Sequence, residues 1–281
     1  EYLCGTIADS HIKPFGTPPS GHDCTRVQRA VLSPLFPSLG SQRHMLSALL
    51  ELLLFMFTFS TIDIEPTMSH HYLKFDHVHY TYPNGHRALK DISFTLHHGD
   101  KVALIGTNGS GKSTLLLHTN GLLLPQSGSI DVGGVPISKQ TLPLIRRTVG
   151  LVFQNPDDQL FMPTIEEDVA FGPMNMNLPP DEVNKRVQQA LKDVGASEWR
   201  ERAAHQLSGG QKRCASIATV LSMGPDILVM DEPTANLDAK ARRQLIRLIQ
   251  GFSHTCLIAT HDIRMVIEVC NRVLVLHEGQ L

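Results

Sequence analysis

The 281-residue sequence is poor in cysteine, and its cysteines lie far apart. No two of the five have the spacing of zinc ligands or of a redox pair, which excludes a disulfide-rich secreted scaffold. We therefore expect free thiols in a reducing cytosol, with the last three in or near the core, where a thiol behaves as a small apolar group. The cysteines are Cys4, Cys24, Cys214, Cys256 and Cys270.

Positive charge is also scarce. The chain has 25 Lys and Arg residues against 27 Asp and Glu residues, a formal net charge of -2, so it offers no overall basic field to nucleic acid. Hydrophobic residues make up 42% of the chain and charged residues 19%, the composition of an ordinary globular protein with one large domain or two modest ones.

Long hydrophobic runs are missing apart from one candidate, MLSALLELLLFMFTFS at Met45–Ser60. It is shorter than the about 20 apolar residues of a spanning helix, contains Glu51, and lacks the basic start and cleavage site of a signal peptide. One interpretation is a membrane-associated helix or the tail of a fused membrane partner. We favour the other, in which residues 1–67 form a poorly ordered leader, or a gene-start artefact, before a natural start at Met68.

Regular patterning begins at about Tyr72. YLKFDHVHYTY alternates apolar and polar residues and predicts a strand with one solvated face, and ALKDISFTLHHGDKVALIG predicts two more strands joined by a turn. DILVMDEP and TCLIATHD predict buried parallel strands, NRVLVLHEG predicts another strand, and DEVNKRVQQALKDVG predicts a helix. This alternation indicates an α/β core with a helical insert that begins near Pro156. The apolar face of the predicted helix carries Val183, Val187, Leu191 and Val194.

GTNGSGKS fits the phosphate-binding pattern G-x-x-x-x-G-K-[ST] between a predicted strand and a predicted helix. Its glycines let backbone N–H groups surround phosphates at a helix N-terminus. We expect Lys112 to reach the β- and γ-phosphates and the Ser113 hydroxyl to bind Mg²⁺. The predicted nucleotide-binding residues of this segment are Gly106, Thr107, Asn108, Gly109, Ser110, Gly111, Lys112, Ser113 and Thr114.

The segment ILVMDEP supplies acidic groups at the end of a buried strand, where the ligands of parallel sheets bind. We expect Asp231 to hold Mg²⁺, mainly through water, and Glu232 to act as general base on an attacking water.

A second phosphate site is predicted at LSGGQ, where a hydroxyl and bare N–H groups precede a helix. One chain is not expected to fold both sites onto one nucleotide. A head-to-tail pair of subunits, with each nucleotide between the two sites, is the economical arrangement. The predicted binding residues are Leu207, Ser208, Gly209, Gly210 and Gln211.

Together these motifs resemble those of the ATP-binding cassette (ABC) ATPases, in family order and over nearly all of residues 72–281. The resemblance implies an α/β P-loop NTPase fold at residues 68–281, with an antiparallel β subdomain and a helical signature subdomain at about 156–222. It implies ATP and Mg²⁺ as ligands and a second ATPase subunit, identical or a sister chain, as partner.

The resemblance also implies roles for four further residues. Tyr82 matches the aromatic that stacks on adenine, and Gln154 matches the glutamine that contacts Mg²⁺ and the attacking water. Asp238 ends ANLD, the segment that communicates across the dimer, and His261 matches the histidine that contacts the γ-phosphate. Tyr82 as a plain strand aromatic and His261 as a satisfied loop histidine remain alternatives.

The resemblance also implies a role for the segment QNPDDQLFMPTIEEDVAFGP. In this family the chain after the glutamine receives a helix of the integral membrane partner. We expect an apolar patch to bury that helix and acids to meet basic side chains at the rim. A solvated acidic face, with Phe161 and Phe171 as local core, is the alternative. The expected patch is Leu160, Phe161 and Met162, and the expected acids are Asp157, Asp158, Glu166, Glu167 and Asp168.

The sequence of this segment resembles that of the ATPases of energy-coupling-factor importers and of related nickel and cobalt importers. Within it, FMPTIEEDVAFGP looks more like the metal branch than the vitamin branch. We therefore expect a peripheral ATPase on the cytoplasmic face of the cell membrane that powers nickel or cobalt import, or else vitamin import. A soluble ABC ATPase acting on ribosomes or DNA, or a purely regulatory subunit, is less favoured. The resemblance includes no nucleic acid partner.

Four histidines cluster in SHHYLKFDHVHY, and two of them should share one face of a strand. Surface strand histidines are the favoured interpretation, and a regulatory nickel or cobalt site is the weaker hypothesis. They are His70, His71, His77 and His79.

Overall fold

The computed structural model of the protein describes residues 72–281. The predicted leader at residues 1–67, the Met45–Ser60 run, Cys4, Cys24, His70 and His71 lie outside the described residues.

Strands and helices alternate through the described part of the chain. In order they are β1 (Tyr72–Thr81), β2 (Arg87–His97), β3 (Lys101–Ile105), α1 (Lys112–Thr119), β4 (Ser127–Val132), β5 (Val135–Pro136), α2 (Leu142–Thr148), β6 (Val149–Val152), α3 (Ile165–Asn175), α4 (Pro180–Asp193), α5 (Gly209–Leu221), β7 (Ile227–Asp231), α6 (Ala239–Gly251), β8 (Thr255–Ala259), α7 (Ile263–Val269) and β9 (Arg272–Val275).

One sheet is antiparallel, with strand order β2-β1-β4-β5. Alternate side chains of β1, including Leu73 and Phe75, are buried while their neighbours face outward, as the alternating pattern predicts. The ladder between β1 and β2 shifts register near His77, whose φ of 50° is left-handed. The short turn after β2 leads the chain out of this sheet, since β3 pairs with strands of the other sheet.

The other sheet is parallel, with strand order β6-β7-β8-β3-β9. Every residue of β7 and β8 is buried, which explains why both strands read as continuous apolar runs. Because parallel strands end at one edge of their sheet, the segments after β3, β6, β7 and β8 all emerge there. That edge carries the phosphate loop, Gln154, Asp231 and His261.

Helices α3, α4 and α5 lie between β6 and β7 in the chain and share one apolar core. The predicted apolar face of α4 is confirmed: Val183, Val187, Leu191 and Val194 are all buried. Helix α1 ends at Thr119, slightly before Gly121, whose φ of 69° gives the left-handed stop that glycine favours.

The described cysteines are free thiols, as the spacing predicts. Cys214 and Cys256 are buried, and Cys270 is partly buried against the same core. Burial raises the pKa of the Cys256 thiol to about 12 and that of Cys214 to about 11, so both stay protonated. Within residues 72–281 no helix combines the length and apolar character that a membrane crossing requires.

Candidate active site

The phosphate loop, Gly106–Ser113, is pressed between two other backbone segments. A Cβ at Gly106 would lie 2.1 Å from the Leu276 carbonyl oxygen, and one at Gly111 would lie 2.5 Å from the Ala88 carbonyl oxygen. The chain after β9 also bonds the loop directly, because the Gly279 N–H donates to the Ser110 carbonyl at 2.9 Å. Contact therefore requires glycine at both positions, and at Gly111 the left-handed φ of 107° favours glycine as well.

Lys112 is held above this loop by the loop itself. Its ammonium group donates to the Gly106 carbonyl at 2.8 Å and to the Thr107 carbonyl at 3.1 Å. The residue is buried, so the amine must keep strong acceptors. A phosphate in the loop would offer this ammonium group charged oxygen acceptors in place of the carbonyls.

A cavity of about 590 Å³ opens beside the loop, and half of the predicted site residues line it. It is also lined by Ala235, the first residue of ANLD, and by two residues that the motifs did not indicate, His86 and Ala88, which follow Tyr82 closely in the chain. Only the closeness of His86 and Ala88 to Tyr82 in the sequence could have suggested them. Its lining is His86, Ala88, Asn108, Gly109, Gly111, Lys112, Ser113, Thr114, Gln154, Asp231, Glu232, Ala235 and His261.

Some predicted residues stand outside this lining. The Tyr82 ring does not line the cavity, but its hydroxyl lies 3.0 Å from the Thr114 hydroxyl, at the start of α1. Gly106 and Thr107 face a neighbouring open groove instead, together with Asn108 and His261. The Ser110 hydroxyl is buried and has no hydrogen-bond partner among the residues that the structure describes.

Three oxygen-bearing side chains in the cavity fit a magnesium ion. The Asp231 carboxylate is buried and bonds the Ser113 hydroxyl, and the Gln154 amide lines the same space. Burial raises the pKa of Asp231, which the Ser113 bond and the Lys112 charge oppose. Residues 72–281 contain no group of three or more His, Cys, Asp or Glu side chains that could hold a metal. The oxygens of Ser113, Gln154 and Asp231 suit an Mg²⁺ ion that one carboxylate and the substrate phosphates hold jointly.

Glu232 and His261 form a pair at the edge of the cavity. Glu232 Oε1 lies 3.4 Å from His261 Nε2, and the other carboxylate oxygen accepts from the His261 backbone N–H at 3.3 Å. Oε1 is buried and has no hydrogen-bond partner within residues 72–281, and Glu232 lines the cavity, where a carboxylate has the chemistry required of a general base. The left-handed φ of 46° at Glu232 is the kind of backbone strain found at functional sites.

The LSGGQ segment lies in a different cavity, of about 580 Å³. Ser208 caps helix α5 reciprocally with Gln211, at 3.3 Å and 2.8 Å, and both line this second cavity with Gly209 and Gly210. Leu207 is buried in the helical core and does not line it.

Asp238 belongs to this second cavity as well. Its carboxylate caps helix α6 by accepting the Lys240 N–H at 2.8 Å and the Ala241 N–H at 2.7 Å. No residue of the LSGGQ segment, and not Asp238, lines the phosphate-loop cavity. Within residues 72–281, then, the two predicted phosphate sites are not combined into one.

The segment after Gln154 corrects part of the expected docking surface. Leu160 is only 7% exposed and packs in the helical core, so it is not free for a partner helix. Asp168 is 3% exposed and turns inward, because its carboxylate accepts the Phe161 and Met162 N–H groups at 2.9 Å each. Burial raises the pKa of Asp168, which these two bonds oppose.

Two more of the five acids are already paired within the chain. Glu166 bonds Arg200 in a two-pronged ion pair, and Asp157 lies 2.6 Å from the Lys212 ammonium. The expected acidic rim is therefore reduced to Asp158 and Glu167, which are exposed.

The apolar part of the surface extends further along α3 than the sequence indicated. Phe161 is 63% exposed, Phe171 44% and Met174 63%, and the two phenylalanine rings meet edge-on with centroids 5.0 Å apart. We call Phe161, Phe171 and Met174 the α3 apolar surface. The helical spacing of residues 171 and 174 could have revealed it.

The two described histidines of the N-terminal cluster lie at the surface, as favoured. His77 Nδ1 is 2.6 Å from Asp91 Oδ1 and His79 Nε2 is 4.0 Å from the same oxygen. This Asp91 contact raises the pKa of His77.

Comparison with known proteins places the chain among transporter ATPases. The model of the ABC transporter family matches residues 89–235. A putative ABC transporter ATP-binding protein of Geobacter sulfurreducens is 54% identical over 214 residues, which cover 76% of this chain and 86% of that protein. EcfA1 of Methanospirillum hungatei, an energy-coupling factor transporter ATP-binding protein, is 49% identical over 204 residues, 71% of this chain and 74% of that protein.

Solved structures agree. The structure of cbiO1 from Clostridium perfringens, part of the ABC transporter complex cbiONQ, superposes with a TM-score of 0.67 at 42% identity over 75% of this chain and 86% of that one. The dimeric ATP-binding cassette MJ0796, in a post-hydrolysis state with ADP and Pi, gives 0.68 at 29% identity over 74% of this chain and 96% of that one.

We predict that Gly111→Ala destabilises the protein more than Gly109→Ala. Both glycines have left-handed φ values, 107° and 77°, but a Cβ at Gly109 meets nothing within 4 Å. Gly109→Ala should therefore cost only the backbone strain of about 1–2 kcal/mol, whereas Gly111→Ala must also displace the Ala88 carbonyl. Thermal unfolding of the two full-length variants measures the difference, and equal losses would contradict the contact argument.

Proposed function

The chain belongs to the ABC transporter family, as an ATPase of its energy-coupling-factor branch, and we propose that it powers import of nickel or cobalt through integral membrane partners. The observation that carries the ATPase part is the meeting of Lys112, Asp231, Glu232 and His261 in one cavity. The metal part is supported by the wording of residues 161–173 and by the similarity to cbiO1 of the cbiONQ complex. Import of a vitamin is the alternative.

We propose that the phosphates of ATP enter the glycine-lined loop and that Lys112 exchanges its loop carbonyls for β- and γ-phosphate oxygens. Ser113, Asp231 and Gln154 would hold Mg²⁺, which neutralises charge on the phosphates when bound. Tyr82, whose hydroxyl lies beside that of Thr114, would stack on the adenine. Catalysis then consists mainly of positioning and charge stabilisation in a partly buried site.

Glu232 would take a proton from the attacking water through the oxygen that has no other hydrogen-bond partner. The His261 side chain lies beside that oxygen, and it would help to orient the attacking water and the γ-phosphate. The Ala259 carbonyl, which accepts the Glu232 N–H at 2.9 Å, ties this base to the end of β8.

The separation of the two cavities supports a head-to-tail dimer. Each ATP would lie between the phosphate-loop cavity of one subunit and the LSGGQ cavity of the other, where Ser208 and the N-terminus of α5 offer donors to phosphate. Asp238 lines the LSGGQ cavity and so would face the shared nucleotide from the same side. Because one chain carries both halves, a homodimer is sufficient, and a heterodimer with a sister ATPase is the alternative.

The α3 apolar surface is the proposed seat for a helix of the membrane partner. Two aromatic rings and a methionine side chain, exposed together, provide the apolar centre of a small interface, and Asp158 and Glu167 provide its acidic rim. Such docking would place the chain at the cytoplasmic face of the membrane as a peripheral subunit. The soluble alternatives, which act on ribosomes or DNA, have no need of this exposed surface.

We predict that Glu232→Gln retains ATP binding and lowers turnover by at least about 100-fold, since the amide cannot accept the proton of water. Bound ATP should then hold two subunits together, which size-exclusion chromatography with and without ATP will show. Steady-state phosphate release provides the rate. Turnover like that of the unaltered protein would refute the assignment of the base.

Phe161→Ser should reduce co-purification of the membrane partner, because a central aromatic contact is commonly worth about 2 kcal/mol, or roughly 30-fold in affinity. Ile267→Ser is the matched control: Ile267 on α7 is 78% exposed, against 63% for Phe161, and lies outside the α3 apolar surface. Equal retention of the partner by both variants would disprove docking at α3.

Uptake of radiolabelled nickel and cobalt, by cells that express the chain with its native membrane partners, tests the transported substrate. We expect uptake that Glu232→Gln abolishes. An assembled complex that hydrolyses ATP without metal uptake would transfer the proposal to a vitamin and leave the ATPase assignment intact.

A further inference from the structure

Arg213 is a buried cation that the phosphate chemistry does not use. It follows the LSGGQ segment on α5, is 1% exposed and is among the largest fully buried side chains of residues 72–281. No carboxylate within these residues forms an ion pair with it. Its two terminal nitrogens instead donate to consecutive backbone carbonyls, that of Phe153 at 2.6 Å and that of Gln154.

This burial is costly for a residue that only fills space. Desolvation lowers the pKa of the guanidinium, while the charges of Asp231 and Glu232 oppose that effect. Its Nε is buried and has no hydrogen-bond partner in the described part of the chain. An apolar side chain of similar volume would pack without these penalties. What an apolar side chain cannot do is grip two carbonyls in a fixed plane, as the guanidinium fork does.

The carbonyls that Arg213 grips belong to the end of β6 and the start of the loop that presents Gln154. β6 ends at Val152, so the sheet ladder does not hold Gln154. The Gln154 side chain nevertheless has to reach the space beside Ser113 and Asp231, which it lines. Its backbone therefore needs an anchor other than the sheet.

Gln159 provides a second connection of the same kind. Its side-chain oxygen accepts the Phe153 N–H at 3.1 Å, and its nitrogen donates to the Ser216 carbonyl at 2.8 Å and to the Thr219 hydroxyl at 2.7 Å. Ser216 and Thr219 lie on α5 with Arg213. The backbone that carries Gln154 is thus attached to α5 from both sides.

We propose that Arg213 is a positioning residue, which sets the place of Gln154 in the phosphate-loop cavity by fixing the Phe153 and Gln154 carbonyls to α5. The proposal rests on the proposed function, since Gln154 acts there toward Mg²⁺ and the attacking water. Arg213 itself touches neither. A change in the position of α5, the helix that begins at the LSGGQ segment, would be passed directly to Gln154.

Arg213→Lys tests this in the full-length protein, because lysine keeps the charge but can bond only one carbonyl in a fixed direction. We expect kcat for ATP hydrolysis to fall by about 10–100-fold, the usual effect of losing a residue that orients a ligand of a metal site. The Mg²⁺ concentration for half-maximal rate should rise, while KM for ATP changes by less than about threefold because the loop still binds the phosphates.

Arg147→Lys is the matched control. Arg147 also donates to a backbone carbonyl, that of Met176 at 3.2 Å, but it is exposed and outside the cavity. It should leave kcat and the Mg²⁺ requirement unchanged. Equal effects of the two substitutions would overturn the proposal.

Hydrogen exchange of the nucleotide-free protein gives a readout independent of activity. Arg213→Lys should speed exchange in the peptide covering residues 153–159 and leave β7 and β8 protected. Uniformly faster exchange would indicate a general structural role and contradict positioning. If Arg213→Lys does not fold, Gln159→Ala removes the other connection and should give the same local exchange and Mg²⁺ pattern, whose absence would also contradict it.

A double-substitution cycle with Gln154→Ala completes the test. If Arg213 acts through Gln154, Arg213→Lys lowers kcat little further once Gln154 is alanine, whereas independent effects would multiply and overturn the proposal. The outcomes distinguish a failure of the proposed function from a failure of the positioning role of Arg213. Absence of ATP hydrolysis by the unaltered protein would refute the proposed function, while normal hydrolysis with no effect of Arg213→Lys would refute only the positioning role.

Discussion

The structure depends on the close contact of the phosphate loop with two other backbone segments. The Leu276 carbonyl oxygen lies 2.1 Å from the position of a Cβ on Gly106, and the Ala88 carbonyl oxygen lies 2.5 Å from that of a Cβ on Gly111, both too close for a side chain. The antiparallel sheet, the parallel sheet and the chain after β9 therefore meet at a loop that has room for backbone only. Within this loop the Ser110 N–H donates to the Thr107 carbonyl at 3.2 Å, and the Lys112 ammonium is held above the loop by the Gly106 and Thr107 carbonyls.

The residues of the site differ in which part of the structure holds them. Asp231 ends the buried strand β7, Glu232 follows it directly, and His261 lies two residues after the end of β8, so their positions follow from the sheet. Gln154 also follows a strand, but its backbone is bonded to α5 through Arg213 and Gln159. The cavity thus combines side chains fixed by the core with one whose place depends on the helical part.

Much of this could be read from the sequence, and the reasons are local. The phosphate loop, the buried strands and the apolar face of α4 follow from short patterns with a known backbone consequence, and the structure has all of them. The segment after Gln154 was less predictable. In the sequence, nothing distinguishes Leu160, Asp168 and Glu166 from similar residues that stay exposed. In the structure, Leu160 and Asp168 are buried and Glu166 is paired with Arg200. Their roles depend on contacts with residues distant in the chain.

Residue types and spacings within single segments already indicate the chemistry expected of the protein: a glycine-rich loop suited to phosphate, carboxylates at the end of a strand, and a helix that begins with bare N–H groups. Three other features arise only when the chain folds. The LSGGQ segment and the phosphate loop occupy separate cavities, and Phe161, Phe171 and Met174 form one exposed surface. A buried arginine also binds the carbonyl of Gln154. The physical reason is that burial and hydrogen-bond partners are set by packing between elements, which no local pattern encodes.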